Sequence, residues 1–199
     1  MRGQPPGSGG SQPRRRGGAA RAAGATAALL APFAAGVGVY LFGSRHTPDY
    51  ATGLFGQHGN AAVDLKARLG TALLALAVLQ LGLAAWMYGR VPGAAAGGRP
   101  VRLGHRATGW LAFLLSLPIA YHCLVTYGIE TTSTRVEIHS VTGCVLYGAF
   151  VAKVVVVRSR RLPGLLLPVL GGVLFFSIAL LWYTAALWAL NDFSVPGLS

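Results

Sequence analysis

"LGTALLALAVLQLGLAAWMYG", at Leu69–Gly89, is the stretch that decides the fold, and none of its side chains is charged. About 20 apolar residues, at a rise of about 1.5 Å each in a helix, cross the hydrocarbon core of a bilayer. The length and polarity of this stretch therefore predict a membrane-spanning helix.

The same pattern fills most of the chain. Of its 199 residues, 53% are hydrophobic and 11% are charged, whereas soluble domains have roughly 25% charged residues. The apolar residues fall into five blocks, at residues 22–43, 62–88, 104–128, 135–157 and 162–190. The sequence thus predicts an all-α, polytopic membrane bundle of five transmembrane helices over residues 22–190, without a separate soluble domain.

The two ends of the chain have a different composition. Residues 1–21 are rich in Gly, Pro, Ser and Arg and have no apolar face, which predicts a disordered basic tail. Arginines before an apolar block resemble a signal peptide, but no clear cleavage site precedes the next polar stretch. An uncleaved first helix is preferred, and cleavage stays the alternative. Residues 191–199 form a short second tail.

The distribution of charge predicts the orientation. With five spans, the amino-terminal tail, the second-to-third loop and the fourth-to-fifth loop share one side and carry five, four and four Lys or Arg residues. All five acids fall on the other side. The positive-inside rule then places the amino terminus in the cytoplasm and the carboxyl terminus outside. Topology explains the net charge of +12, so the predicted partner is the lipid bilayer and not a nucleic acid.

Two histidines have similar depths on antiparallel predicted helices. His122 lies six residues before Gly128, roughly 9 Å below the outer end of its helix. His139 lies four residues after Arg135, roughly 6 Å below the start of the next helix. Ionisable residues at such depth are costly and usually face the interior of a bundle, where they serve a function.

The pair predicts one b-type haem in the outer half of the bilayer, held by the two imidazoles. Haem iron accepts two axial nitrogen ligands, which facing helices can supply. Gly143 lies four residues after His139, on the same helix face, and leaves room for a flat macrocycle. Pro118 lies four residues before His122 and can kink its helix.

A structural role for the two histidines is the alternative. They can hydrogen-bond to each other, to Ser140 or Thr142, or to backbone carbonyls. Neighbouring helices usually lie about 8–10 Å apart, which is tight for two imidazoles with an iron between them. A haem therefore requires these helices to splay, which the loop of about six residues permits.

His105, near the inner end of the third helix, has no histidine partner at its own depth, so a second haem is not predicted. It is read as an interfacial hydrogen-bonding group or as part of a quinone pocket.

Lys66 and Arg68 lie at the outer entry to the second helix. They can reach the headgroups, pair with Asp64 and Glu137, or hold the propionates of the haem.

The remaining candidates are weaker. His46 and His58, with Asp49, lie in the first outer loop without the tight spacing of a zinc site. Cys123 and Cys144 differ in estimated depth by roughly 6–9 Å, too far for a disulfide, so two buried free thiols are expected.

Two segments, "HRATGWLAFLLSLPIAYHC" (His105–Cys123) and "RVEIHSVTGCVLYGAFVAKVVVVRSRRLPG" (Arg135–Gly164), resemble an uncharacterised actinobacterial family of five-helix membrane proteins. The resemblance covers most of residues 35–190. It implies a bacterial plasma membrane and brings no activity. More remotely, the helix pair that carries the histidines resembles cytochrome-b and ferric-reductase-like membrane proteins.

Two functions follow from these observations. The first is a redox-associated subunit that binds one haem or a quinone and exchanges electrons with a partner on the extracellular side. The second is a non-catalytic membrane scaffold or assembly subunit with structural histidines. No nucleotide loop or nucleophile–base motif is present, so an accessory or electron-transfer role is favoured over a self-contained enzyme.

Overall fold

The computed structural model describes residues 15–159 and 163–197. Five long helices follow one another: α1 (Arg15–Arg45), α2 (Gly59–Met87), α3 (Arg99–Thr126), α4 (Thr134–Arg158) and α5 (Leu166–Leu181). The chain continues from α5 through a π-helical segment (Trp182–Leu187) into a last turn, α6 (Trp188–Leu190). Regular structure in the described residues is helical apart from one isolated bridge, Leu54 with Gln57, so the all-α prediction is confirmed.

Four helices of the described part of the chain are long and apolar enough to cross a membrane. They are Gly59–Met87, Arg99–Thr126, Thr134–Arg158 and Leu166–Leu190. The predicted membrane protein is thus confirmed at this coarser level. The remaining predicted span, residues 22–43, lies within α1, and its crossing of the bilayer stays a prediction.

The helix ends follow from local sequence. Ser133 precedes α4 and its hydroxyl accepts a hydrogen bond from the backbone N–H of Val136 at 3.4 Å, which satisfies one donor of the first turn. Pro100 lies in the first turn of α3, where its missing N–H has no cost. α1 begins at Arg15 and not near residue 22, so residues 15–21 of the predicted disordered tail are helical. Residues 1–14 of that tail lie outside the described residues.

Helix packing does not follow chain order. α4 lies between α1 and α5, and α2 lies between α3 and the carboxyl-terminal helix. α3 and α4 are consecutive in the chain, yet their described backbones make almost no close approach. Long side chains connect them instead. The Tyr147 hydroxyl lies 3.2 Å from the carbonyl oxygen of Ser116, and the rings of Phe113 and Phe150 stack at 4.1 Å.

Two glycines mark a close approach between the backbones of α1 and α4. A Cβ at Gly36 would lie 3.1 Å from the carbonyl oxygen of Cys144, and one at Gly148 would lie 3.0 Å from that of Pro32. Only glycine allows contact this close without movement of a backbone. Small residues at helix crossings are the usual means of tight packing between membrane helices.

The loop between α1 and α2 covers the carboxyl-terminal end of α3. The backbone N–H of Asp49 and the Nε2 of His46 both bond the carbonyl of Val125, at 3.0 and 3.2 Å. This carbonyl belongs to the last turn of α3, where it has no partner within the helix. The loop therefore closes this end of the bundle over His122.

Candidate functional site

His122 is a buried imidazole without a hydrogen bond. It is 1% exposed, and neither ring nitrogen has a partner among the described residues. Its ring meets Tyr127 edge to face at 6.1 Å, while the backbone of Thr52 approaches it without forming a hydrogen bond. A buried polar group left unpaired costs about 1–3 kcal/mol. The two ring nitrogens of His122 are therefore free to bind a ligand.

Thr126 adds to this capacity. It lies one turn beyond His122 on α3, is 3% exposed, and its Oγ1 also lacks a partner within the described chain. Residues four apart lie on the same face of a helix. The two unpaired groups thus form one polar patch at the carboxyl-terminal end of α3.

His139 has a defined partner. Its Nδ1 lies 3.0 Å from the Oγ1 of Thr184, a fully buried residue. The Thr184 hydroxyl also lies 2.8 Å from the carbonyl of Leu180, which can only accept. Because the hydroxyl has one proton, it donates to Leu180 and accepts from the Nδ1–H of His139. In the neutral ring, Nε2 then keeps its lone pair, which is the arrangement of a histidine whose second nitrogen binds a metal.

The π-helical segment places Thr184. Its backbone carbonyl accepts a hydrogen bond from Nη1 of Arg135 at 2.7 Å, and the Arg135 guanidinium lies 3.9 Å from the centre of the Trp188 ring. Such wide turns frequently occur at functional sites. The segment thereby ties the first turn of α4, just before His139, to the carboxyl-terminal helix.

Lys66 and Arg68 have different environments. Arg68 is 73% exposed in its side chain and pairs with Asp64 at 2.9 Å. Lys66 points inward, and its Nζ lies 4.4 Å from the centre of the Tyr127 ring. No carboxylate lies within ion-pair distance of Lys66 in the described chain. Burial raises the pKa of the Tyr127 phenol, so its ring stays neutral beside the ammonium.

The structure brings Lys66 near both histidines, which contact different partners. Lys66 lies within electrostatic range of both imidazoles, while His122 packs on Tyr127 and His139 on Thr184. Gly143 has open space beside it, since a Cβ there would meet no atom within 4 Å. A ligand shared by the two rings has to lie between α3 and α4, whose backbones stay apart.

The loop between α1 and α2 does not bring His46, His58 and Asp49 together as a zinc site. No three His, Cys, Asp or Glu side chains of the described residues come together as a metal site. His58 Nδ1 instead bonds the carbonyl of Ala51.

Hydrogen bonds from Thr52 and the N–H of Ala51 hold the pKa of Asp49 below its usual value. This turn therefore contributes its full stabilisation at pH values above the pKa that Asp49 has in the unfolded chain. The stabilisation is lost as pH falls through the lower pKa of Asp49 in the folded protein.

His105 lies apart from these groups, near the other end of α3. Its carbonyl accepts from the Gln80 side chain of α2, and its Nδ1 is buried without a partner in the described chain. The position serves as a reference for the site around His122, because it offers a second, half-buried imidazole on the same helix.

Cys123 and Cys144 are free thiols, with Cys144 buried and Cys123 half-buried. Both should stay reduced in the oxidising exterior. Denaturation in an alkylating reagent without reductant should label both cysteines, as read by intact mass. A mass that shows an intramolecular disulfide would contradict this helix register.

Sequence reasoning missed three participants: Thr184, Thr126 and Tyr127. The aromatic Tyr127 and the hydroxyl of Thr126 lie within five residues of His122 and could have been named from their spacing. Thr184 lies 45 residues from His139, and no sequence signal links the two.

The comparisons with known proteins give one match. A family model described as a family of unknown function, DUF6529, matches residues 24–197. No curated protein and no solved structure matches the chain. These findings agree with the predicted uncharacterised family and do not support the remote resemblance to cytochrome-b and ferric-reductase-like proteins. Since the match spans most of the sequence, the chain belongs to the family of unknown function DUF6529.

Proposed function

We propose that this protein is a redox-associated membrane subunit that binds one b-type haem between α3 and α4, with His122 and His139 as axial ligands. The bound iron would carry one electron at a time by alternating between its ferric and ferrous states. The electron would pass to or from a partner on the extracellular side. The observation that carries the proposal is the burial of His122 with both ring nitrogens unpaired.

The neighbouring residues suit this group. Thr184 fixes the Nδ1–H of His139 and leaves Nε2 as a ligand. The open space beside Gly143 lies one turn further along α4. Lys66 is an inward-pointing cation without a carboxylate partner in the described chain, which suits a propionate. Arg68, which pairs with Asp64 at the surface, is left out of the proposed site.

An absorption spectrum of the purified protein from haem-replete cells is the direct test. We expect a Soret band and about one haem per chain by pyridine haemochrome. Protein without pigment from such cells would remove the haem proposal.

A scaffold or assembly subunit is the second candidate, and one observation favours it. The hydrogen bond from His139 to Thr184 joins α4 to the carboxyl-terminal helix and accounts for His139 without any ligand. It does not account for His122. A pigment-free protein whose His139→Ala variant loses thermal stability, while His122→Ala keeps it, would support this function.

Replacing Lys66 by alanine should weaken haem retention without abolishing it. A charge-assisted hydrogen bond contributes about 1.5–3 kcal/mol and less where solvent reaches it, so we expect roughly tenfold faster transfer of haem to apomyoglobin. Arg68→Ala is the matched control, since Arg68 is exposed and already paired. Equal effects of the two substitutions would contradict the role of Lys66.

The proposed orientation includes α1 as a fifth span, with a cytoplasmic amino terminus in a bacterial plasma membrane. The basic residues of the second-to-third loop support it. An alkaline phosphatase fusion after Gly97 should be inactive, and one after Thr132 should be active. An active Gly97 fusion would reverse the topology.

A further inference from the structure

The surface between α4 and α5 contains an open groove of about 510 Å³. Its lining is mostly apolar and includes Val145, Gly172, Val173 and Phe176. Pockets for small ligands usually measure about 300–1,000 Å³, so the groove has the size of a binding site. The Phe176 side chain is 71% exposed on its rim, which opens the groove sideways to the surrounding bilayer.

Two hydroxyl groups break the apolar lining. Thr142 of α4 and Ser177 of α5 line the groove and are 9% and 6% exposed. Neither side chain has a hydrogen-bond partner in the described part of the chain. By contrast, the helical hydroxyls of Thr71, Thr108 and Ser116 bond the backbone of their own helix at 2.7–2.9 Å. The hydroxyls of Thr142 and Ser177 can therefore both donate hydrogen bonds to a molecule bound in the groove.

The depth of these hydroxyls restricts the occupant. Thr142 lies eight residues into α4, about 12 Å from its start. Ser177 lies eleven residues into α5, about 16 Å from its start. None of the described residues that line the groove is charged, and a charged or phosphate-bearing headgroup is costly at that depth. The acyl chain of a phospholipid reaches it but has no acceptor.

We propose that this groove binds a lipid-soluble quinone, whose ring carbonyls accept hydrogen bonds from Thr142 and Ser177. The flat ring suits the space beside Gly172, where a Cβ would meet no atom within 4 Å, and an isoprenoid tail leaves through the open side into the bilayer. The inference does not depend on a haem, because none of the groove's residues belongs to the histidine site.

Binding of a naphthoquinone with a short alkyl tail, measured by equilibrium dialysis on protein in quinone-free nanodiscs, tests the proposal. The same tail on naphthalene, which lacks carbonyls, is the matched probe. We expect saturable binding of the quinone and weak, non-saturable partition of the hydrocarbon. Thr142→Val and Ser177→Ala should each weaken quinone binding about fivefold to tenfold, as expected for the loss of one hydrogen bond.

Two glycine variants control for the shape of the groove. Gly172→Leu should abolish quinone binding by filling the groove, whereas Gly171→Leu should not, since Gly171 has equally open space but does not line it. His122→Ala should leave quinone binding unchanged, which separates this proposal from that of the haem. Equal affinity for the two probes, or unchanged binding in both hydroxyl variants, would overturn it. A dimer that Gly172→Leu disrupts, without quinone binding, would overturn it in favour of a second copy of the chain.

Discussion

Changing either His122 or His139 to alanine is expected to lower the haem content of the purified protein by more than about tenfold, because low-spin b haem needs both axial nitrogens. The two variants should differ in their side effects. His122→Ala removes an unpaired buried imidazole and should leave the apoprotein as stable as wild type or more so. His139→Ala also removes the bond to Thr184 and should lower thermal stability.

Loss of pigment can also follow from misfolding, so the experiment needs matched controls. His105→Ala removes a half-buried imidazole from the same helix and should keep the haem. Added imidazole should restore part of the Soret band to His122→Ala if the variant is folded and lacks only a ligand. Full haem content in either His122→Ala or His139→Ala would refute bis-histidine ligation.

Filling the space beside His139 tests the same site without removing a ligand. Gly143→Leu should expel the haem, since the glycine lies one turn beyond His139 with open space beside it. A purely structural histidine pair would tolerate this substitution, because no protein atom within 4 Å would meet its Cβ.

The sequence was sufficient to predict the helices, because long apolar blocks leave a membrane chain few alternatives. The bounds of α2, α3 and α4 differ from the predicted ones by at most five residues, and the last predicted block ends at Leu190, where α6 ends. The start of α1 was wrong by seven residues, since Gly and Arg there have no apolar face to signal a helix.

The arrangement of the helices was not predictable in the same way. Consecutive helices usually pack together, but α4 packs on α1 and stays apart from α3. Gly36 and Gly148 were visible as small residues suited to helix packing. Nothing in one sequence shows that these two face each other across α1 and α4.

The candidate site was predictable in part. Lys66 and Arg68 are two residues apart, about 200° around a helix, so they had to face different ways. The i, i+4 spacing of Asp64 and Arg68 favoured the observed ion pair. The partner of His139 depends on the π-helical segment, which arises from tertiary contacts such as that of Arg135 with the Thr184 carbonyl.

The contact of α1 with α4 gives the second large effect. Gly148→Leu should destabilise the bundle more than any other single glycine substitution along these two helices. A Cβ at this position already comes within 3.0 Å of the Pro32 carbonyl and 3.8 Å of the Gly36 backbone, and neither backbone can move aside as a side chain can. Overpacking typically costs about 1–3 kcal/mol, and we expect the upper end of this range.

Thermal unfolding in detergent, followed by tryptophan fluorescence, measures this effect as a fall in Tm of several degrees. Gly36→Leu should act similarly, since its Cβ would meet the Cys144 carbonyl at 3.1 Å. Gly38→Leu is the control, because Gly38 lies two residues further along α1 with no atom within 4 Å of its Cβ. A Tm for Gly148→Leu equal to that of Gly38→Leu would show that α1 and α4 do not touch at this crossing. Because α1 also carries the loop that closes over His122, separation of α1 from α4 should loosen haem binding even though no ligand is changed.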